Sequence, residues 1–275
     1  IVIIFFLPLL FGQNQNNLEP LPINDETIGY YQTNTCKISL LDVIRSNKNT
    51  NVEYKLNNYS GLECYGKVTG LDISVPMLAR TLELAIENNK TNISILNKDV
   101  QENELDDQYD HLFSRFGVMF FTDPTSAFKH LHSTLTGHGR LVFVCWQAPA
   151  ANPWMSITGR AIAPYLPQSE SPTDPTAPGP FAFADADYVH AILSDSGFQN
   201  IRLNAFSAAL HVGNDPQDAL KLQTRVGPAA RVMAELDGET RNQALDAART
   251  ALAAHQADNG IHLDAAVWIV SATAA

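Results

Sequence analysis

The sequence is poor in cysteine, poor in basic residues and without the common phosphate-binding or nucleophile signatures. Each lack removes a class of protein. The three cysteines, Cys36, Cys64 and Cys145, are widely spaced and form no Cys-x-x-Cys pair. They suggest neither a disulfide framework nor a zinc site, and a reducing, cytoplasmic setting is the simpler inference. Lys and Arg total 18 against 29 Asp and Glu, a net charge of −11. A nucleic-acid surface needs a basic footprint, so no nucleic-acid partner is expected. Neither a Gly-x-Ser-x-Gly elbow nor a Gly-x-x-x-x-Gly-Lys-[Ser/Thr] loop is present. The eight histidines are scattered, and His130 and His132 stand only two apart on an expected helix, facing different sides. No metal site is expected from them.

What is present is enough chain, 275 residues, for one large domain or one domain with an appendage, with a sizeable core. The first twelve residues are almost wholly apolar but too few to span a bilayer as a helix. They read as the remnant of a signal core or as a buried strand or packed terminal segment, with membrane contact through Ile1 to Leu10 a lesser alternative. No Met opens the chain, so the sequence reads as starting partway through its gene product. Residues 1–110 hold 15 Asn and 2 Ala, whereas residues 111–275 hold 6 Asn and 30 Ala. The Asn-rich part has weak helix propensity and many turn formers. Residues 1–35 read as an atypical apolar, then polar, segment ahead of a domain over 36–275.

Along that domain, apolar β-rich runs alternate with helical periodicity. Strands are expected at Cys36–Ile44, Val68–Asp72, Asn92–Leu96, Leu112–Val118, Arg140–Trp146, Ile201–Val212 and Ala266–Ser271. Helices are expected at Met77–Asn88, with Met77, Leu78, Leu82 and Ala85 on one face, and at Pro124–Leu135, capped by Asp123 and closed by Gly137-His138-Gly139. Further helices are expected at Asn152–Leu166, from Asp185 to Ser196, around Pro216–Val226 and within Ala229–Gln256. The proline-rich stretch 168–180 reads as a surface loop or lid base. This alternation predicts an α/β fold, doubly wound on a mostly parallel sheet, with the last two strands added antiparallel at one edge.

One stretch, Lys67 to Ala79, carries the functional reading. The run Val68–Leu71 ends in Asp72, and Ser74 and Pro76 mark a helix start. Asp72 is thus placed at the carboxyl end of a strand, where open α/β sheets bind ligands. Either it caps the next helix, or it accepts two hydrogen bonds from a ribose diol.

Val68-Thr-Gly-Leu-Asp-Ile-Ser-Val-Pro-Met-Leu-Ala79, Asp99-Val100, Phe113-Ser-Arg-Phe-Gly-Val-Met-Phe-Phe121 and Gly139-Arg-Leu-Val-Phe-Val-Cys-Trp146 together resemble the class I S-adenosylmethionine-dependent methyltransferases. The likeness is greatest to the branch related to ubiquinone and menaquinone C-methyltransferases. It extends through Asn152-Pro-Trp154, Pro178-Gly-Pro-Phe-Ala-Phe-Ala-Asp185, Gly227-Pro-Ala-Ala230 and Ala265-Ala-Val-Trp-Ile-Val270. The resemblance implies a Rossmann-like seven-stranded sheet with a C-terminal antiparallel hairpin, a substrate-cover insertion around residues 150–200, and S-adenosylmethionine as cofactor. It implies that Asp72 binds the ribose hydroxyls, Ile73 packs on the adenine, and Asp99 and Val100 line the adenine edge with Asp99 accepting from the exocyclic amine. Met77 joins this cofactor set. Ser114 would face the methionine end, and Arg115 and Phe116 the mouth of the site. Phe116, Phe120, Phe121 and Trp146 could attract a sulfonium through cation–π contact, although plain core packing is favoured for the last three.

The sequence departs from the family at one place. A glycine-rich loop should follow the first strand, but the stretch after Ser39–Val43 is Ile44-Arg-Ser-Asn-Lys-Asn-Thr50, without glycine, and Asp42 is a weak candidate for the acid at that strand end. Residues with a Cβ are penalised where backbone must approach closely. No single acid or base stands out as catalytic. The reading is methyl transfer to a small-molecule acceptor. A methyltransferase-like binding protein disabled at that loop is one alternative, and a nicotinamide-dependent oxidoreductase, which would lack its Gly-x-Gly-x-x-Gly, is another.

Overall fold

The apolar N-terminal run forms a strand at the centre of the main sheet. β1 (Val2–Phe5) pairs parallel with β5 (Val68–Asp72) on one side and β7 (Tyr109–Arg115) on the other. A central parallel strand is covered on both faces, and an uninterrupted Val-Ile-Ile-Phe run suits it. The computed structural model describes residues 2–5, 30–32, 36–39, 62–64, 66–103, 105–166, 174–224, 236 and 238–274.

The expected first strand, Cys36–Ile44, is corrected by this arrangement. Its described part is β3 (Cys36–Ser39), the middle of a separate three-stranded antiparallel sheet between β2 (Tyr30–Gln32) and β4 (Leu62–Cys64). Cys-Lys-Ile-Ser alternates apolar and polar residues, the period of a strand with one wet face rather than of a buried parallel one. Asp42 and the Arg45–Asn51 stretch lie outside the described residues.

Among the described residues the main sheet has eight strands rather than seven. Its order is β10 (Gln256–Ala257), β11 (Gly260–Thr273), β8 (Leu135–Trp146), β7, β1, β5 and β6 (Ile93–Asn97), with β9 (Gln199–Gly213) also paired to β11. The pairs from β8 through to β6 are parallel, whereas β11 is antiparallel to β8, β9 and β10. The expected antiparallel addition at one end is therefore present, in long register between β9 and β11.

Helices follow the strands at the expected places. α1 (Val75–Glu87) follows β5, and α2 (Pro124–Ser133) follows β7 with Asp123 as its N-cap, accepting from the Ser126 amide. α3 (Pro153–Ile162) and α4 (Ala186–Asp195) follow β8, while α5 (Pro216–Gln223) and α6 (Gly238–Ala253) separate β9 from β10. Two local expectations change. Gly137-His138-Gly139 does not close α2; it lies inside β8, where the register against β7 slips between Tyr109 and His111. On α1 the buried residues are Leu78, Leu84 and Ala85, and Leu82 is exposed.

The core sits between the sheet and α2–α6. Phe128 is fully buried, with the rings of Phe121, Phe143, Phe183 and Phe198 at 5.6–6.3 Å. Asn152, also fully buried, ties the chain after β8 to β11. Its Nδ2 donates to the carbonyls of Gln147, Ala148 and Ala266, and its Oδ1 accepts from the Ala266 amide.

Candidate active site

The parallel strands β1, β5, β6 and β7 end at one edge, and the expected site residues follow from their register. Ile4 pairs with Leu71 on one side and Ser114 on the other, and Asp72 pairs with Asn97. Asp72 thus stands one residue beyond the level of Ser114, across β1, a separation of roughly two strand spacings or 9–10 Å. Because register partners share a face, Asp72, Asn97 and Arg115 leave the sheet on one side and Ser114 on the other. Asp72, Asp99, Ser114, Arg115 and Phe116 are brought to one edge, but Ser114 is not on the Asp72 side of it.

Asp72 is 2 % exposed. Its Oδ1 accepts from the Ser74 amide at 2.7 Å, and its carbonyl accepts from Asn97 Nδ2 at 2.9 Å. Oδ2 is buried without a partner. Burial pushes the carboxyl up to about 6, against the lowering effect of the Ser74 and Ile73 amides. The two oxygens of Asp72 therefore differ. Oδ1 shapes the turn into α1, whose N-cap Ser74 makes no side-chain cap of its own, and Oδ2 is an acceptor held without a donor. A buried acceptor left unpaired costs on the order of 1–3 kcal/mol and calls for a ligand or a specific role.

Around it, Ile73 is 53 % exposed and Val75 61 % exposed, an unusual apolar exposure beside a buried carboxylate. Met77 is half-buried on the first turn of α1. Asp99 follows β6 by two residues. Its Oδ1 accepts from the Gln101 amide at 2.9 Å, and Gln101 Nε2 lies 3.3 and 3.4 Å from the two carboxylate oxygens. Val100 is buried, and its carbonyl lies 3.0 Å from His130 Nδ1.

At the end of β7, Ser114 is fully buried with its hydroxyl unpartnered. Arg115 is half-buried. Phe116 takes a positive φ of 57°, costly for a bulky residue, and its amide donates to the Val144 carbonyl at 3.0 Å. Its ring stacks on Trp146, with centroids 4.2 Å apart and planes 4° from parallel. Phe121 and Trp146 are buried and Phe120 packs against the core, as the packing reading of these aromatics expected.

The described part of the expected substrate cover is anchored beside this edge. The Gly179 amide donates to the Met119 carbonyl at 3.1 Å, and Trp268 Nε1 to the Ala184 carbonyl at 2.9 Å. An open pocket of about 420 Å³ lies on other elements, lined by Asp215, Pro216, Gln217, Arg249, Thr250 and Ala253. Among the described residues no group of three or more His, Cys, Asp or Glu could hold a metal, and no helix is long and apolar enough to cross a membrane. Cys145 is fully buried with its thiol pushed far up, an inert core residue.

Sequence reasoning missed Asn97 and Gln101. Asn97 ends a strand and Gln101 sits two residues after an aspartate, the spacing at which an Asx turn forms. Either position was findable, but neither carries a signal beyond that.

Residues 55–143 match the family model of the methyltransferase domain. No curated protein matches the chain in sequence. Solved structures similar to it include a Bacillus halodurans C-125 protein provisionally described as a methyltransferase, 13 % identical over 76 % of this chain and 83 % of that one, with a TM-score of 0.49. The YcgJ protein of Bacillus subtilis is 13 % identical over 75 % and 82 %, with a TM-score of 0.47. Phosphoethanolamine N-methyltransferase 2 of Haemonchus contortus, solved with phosphomonomethylethanolamine and S-adenosylhomocysteine, is 16 % identical over 75 % and 43 %, with a TM-score of 0.42. The family match takes in β5, β6 and β7 and most of β8, and with them Asp72, Asp99 and Ser114. Residues 55–143 are thus similar to the methyltransferase domain, and S-adenosylmethionine-dependent methyl transfer is the enzyme class this match supports.

Proposed function

We propose that the edge formed by the ends of β5, β6 and β7 binds S-adenosylmethionine, and that the protein methylates a small-molecule acceptor. The observation that carries this is Asp72, a buried carboxylate with one oxygen engaged by the Ser74 amide and the other without a partner. A ribose diol supplies the donor that Oδ2 lacks, and a second for the carboxylate's remaining acceptor capacity. The exposed side chain of Ile73 offers a flat apolar surface to the adenine, with Val100 and Met77 beside it. Asp99 accepts from the exocyclic amine. Arg115 and Phe116, at the end of β7, meet the methionine portion and the mouth of the site, whereas Ser114 leaves the sheet on the opposite face and does not join them.

Bound S-adenosylmethionine supplies an electrophilic sulfonium methyl group. The chain's own part is to hold the acceptor in line behind that methyl and to keep water out, for which alignment is the main requirement. The segment around residues 174–185, pinned to the β7–α2 connection through Gly179, serves as part of the acceptor's cover. Donors from a ribose stabilise the ionised form of Asp72, so cofactor binding near pH 6 releases a proton.

Isothermal titration with S-adenosylmethionine, with NADH as the control, tests this. Saturable binding of the first alone supports the reading, and binding of NADH alone sinks it. A second reading, a methyltransferase-like binding protein without turnover, is favoured by one feature. With β1 as the first strand of the sheet, the residues that follow it are Phe6-Leu-Pro-Leu-Leu-Phe-Gly12, with a single glycine. A variant carrying glycines between Phe6 and Phe11 that gains cofactor affinity supports this second reading; unchanged or weaker affinity argues against it.

A further inference from the structure

We propose that Gln101 is the positioning residue that sets the enzyme's preference for an adenine base over its 6-oxo counterpart, by holding the Asp99 carboxylate in one orientation. This rests on the cofactor reading above and adds a residue to it.

The Gln101 side chain works at both ends. Its Nε2 faces both oxygens of Asp99, at 3.3 and 3.4 Å, while its backbone amide donates to Asp99 Oδ1 at 2.9 Å. Its Oε1 accepts from the backbone amides of Thr122 and Asp123, the two residues immediately before α2. A glutamine suits this place because one end must donate to a carboxylate and the other must accept from a helix entry. The loop after β6 is thereby fixed to the start of α2, and the Val100 carbonyl with His130 Nδ1, 3.0 Å apart, makes a second link between the same elements. Asp99 is otherwise a half-buried side chain at the end of a strand, with rotamers to choose from.

An orientation fixed in this way matters for base choice. An ionised carboxylate accepts from a 6-amino group, whereas the 6-carbonyl of a hypoxanthine base would set acceptor against acceptor. The discrimination is only as sharp as the carboxylate is immobile, since a free Asp99 could turn to accept from the ring N–H of the 6-oxo base instead.

The test is isothermal titration of the whole chain with S-adenosylhomocysteine and with S-inosylhomocysteine, for wild type, Gln101→Leu and Gln101→Glu. Wild type should prefer the adenosyl ligand. Gln101→Leu removes both bonds and should narrow that preference by roughly three- to tenfold, the worth of one orienting hydrogen bond. Gln101→Glu keeps the acceptor facing Thr122 and Asp123 but loses the donor to Asp99. It sets a second carboxylate against Asp99 and should narrow the preference at least as much, with the change seen in the ratio of the two affinities rather than as equal loss of both, which a merely structural role would not give. An unchanged ratio in both variants, or equal weakening of both ligands, overturns the proposal. If wild type fails to bind S-adenosylhomocysteine at all, the cofactor reading fails and takes this inference with it.

Discussion

Asp72 and Asn97 are register partners at the ends of β5 and β6, and Asn97 Nδ2 donates to the Asp72 carbonyl at 2.9 Å. The asparagine fixes the backbone of the strand end but does nothing for the carboxylate. The side chain of Asp72 is therefore presented at the edge of the sheet by a fixed main chain, with Oδ2 buried and without a partner.

The first prediction concerns that oxygen. Asp72→Asn preserves shape and the bond to the Ser74 amide while removing the charge. Hydrogen bonds to a charged group are worth about 1.5–3 kcal/mol, so affinity for S-adenosylmethionine should fall roughly ten- to a hundredfold. Titration calorimetry reads the change directly.

The second is a pH dependence. The folded-state value of Asp72 is raised to about 6 from 3.8, so the folded chain holds an extra proton between about pH 4 and 6. Its contribution to stability is greatest below pH 4 and is lost as pH rises through 6. Without ligand, wild type should lose stability across that window relative to Asp72→Asn, as followed by urea denaturation at a series of pH values. Cofactor affinity should run the other way, weakening as the carboxylate is protonated below about pH 6.

Phe116 gives the third. Its positive φ of 57° is disfavoured by its Cβ, and its ring is buried against Trp146. Phe116→Ala loses the ring and keeps the strain. Phe116→Gly loses the ring and relieves the strain, and should be the more stable of the two by about 1 kcal/mol. The ordinary expectation for a glycine substitution is the reverse, so the sign alone decides.

The fourth tests what carries the core. Phe128→Ala removes the ring around which four other phenylalanines pack and should cost about 3–5 kcal/mol. Asn152→Ala leaves the buried Ala266 amide without its partner and should cost about 1–3 kcal/mol. Chemical denaturation of each variant measures both, and Cys145 should stay unreactive to thiol reagents until the chain unfolds.

Most of the parallel sheet was legible because its strands are short apolar runs punctuated by caps and turns. Val68–Asp72, with Ser74 and Pro76 after it, and Asp123 before Pro124 mark their elements almost to the residue. The first strand was misplaced for a physical reason. A central parallel strand has no polar alternation to identify it, so Val2–Phe5 looked like many things, while Cys36–Ser39 alternates and belongs to a small antiparallel sheet. Gly137-His-Gly139 looked like a helix stop because glycine breaks helices and bends strands alike, and only the pairing with β7 shows which it does here. Within the site, Asp72, Asp99 and Ser114 could be placed from strand ends. That Ser114 leaves the sheet on the other face, that Phe116 is backbone-strained, and that Gln101 clamps Asp99 depend on register and long-range contacts that no local pattern encodes.

The central claim is that the Asp72 edge binds S-adenosylmethionine, and a pair of calorimetric titrations tests it most directly. Wild type should bind S-adenosylmethionine saturably at one site and release a proton on binding near pH 6, with Asp72→Asn weaker by roughly ten- to a hundredfold and showing no such release. Equal affinity and equal proton release in wild type and Asp72→Asn would contradict the account.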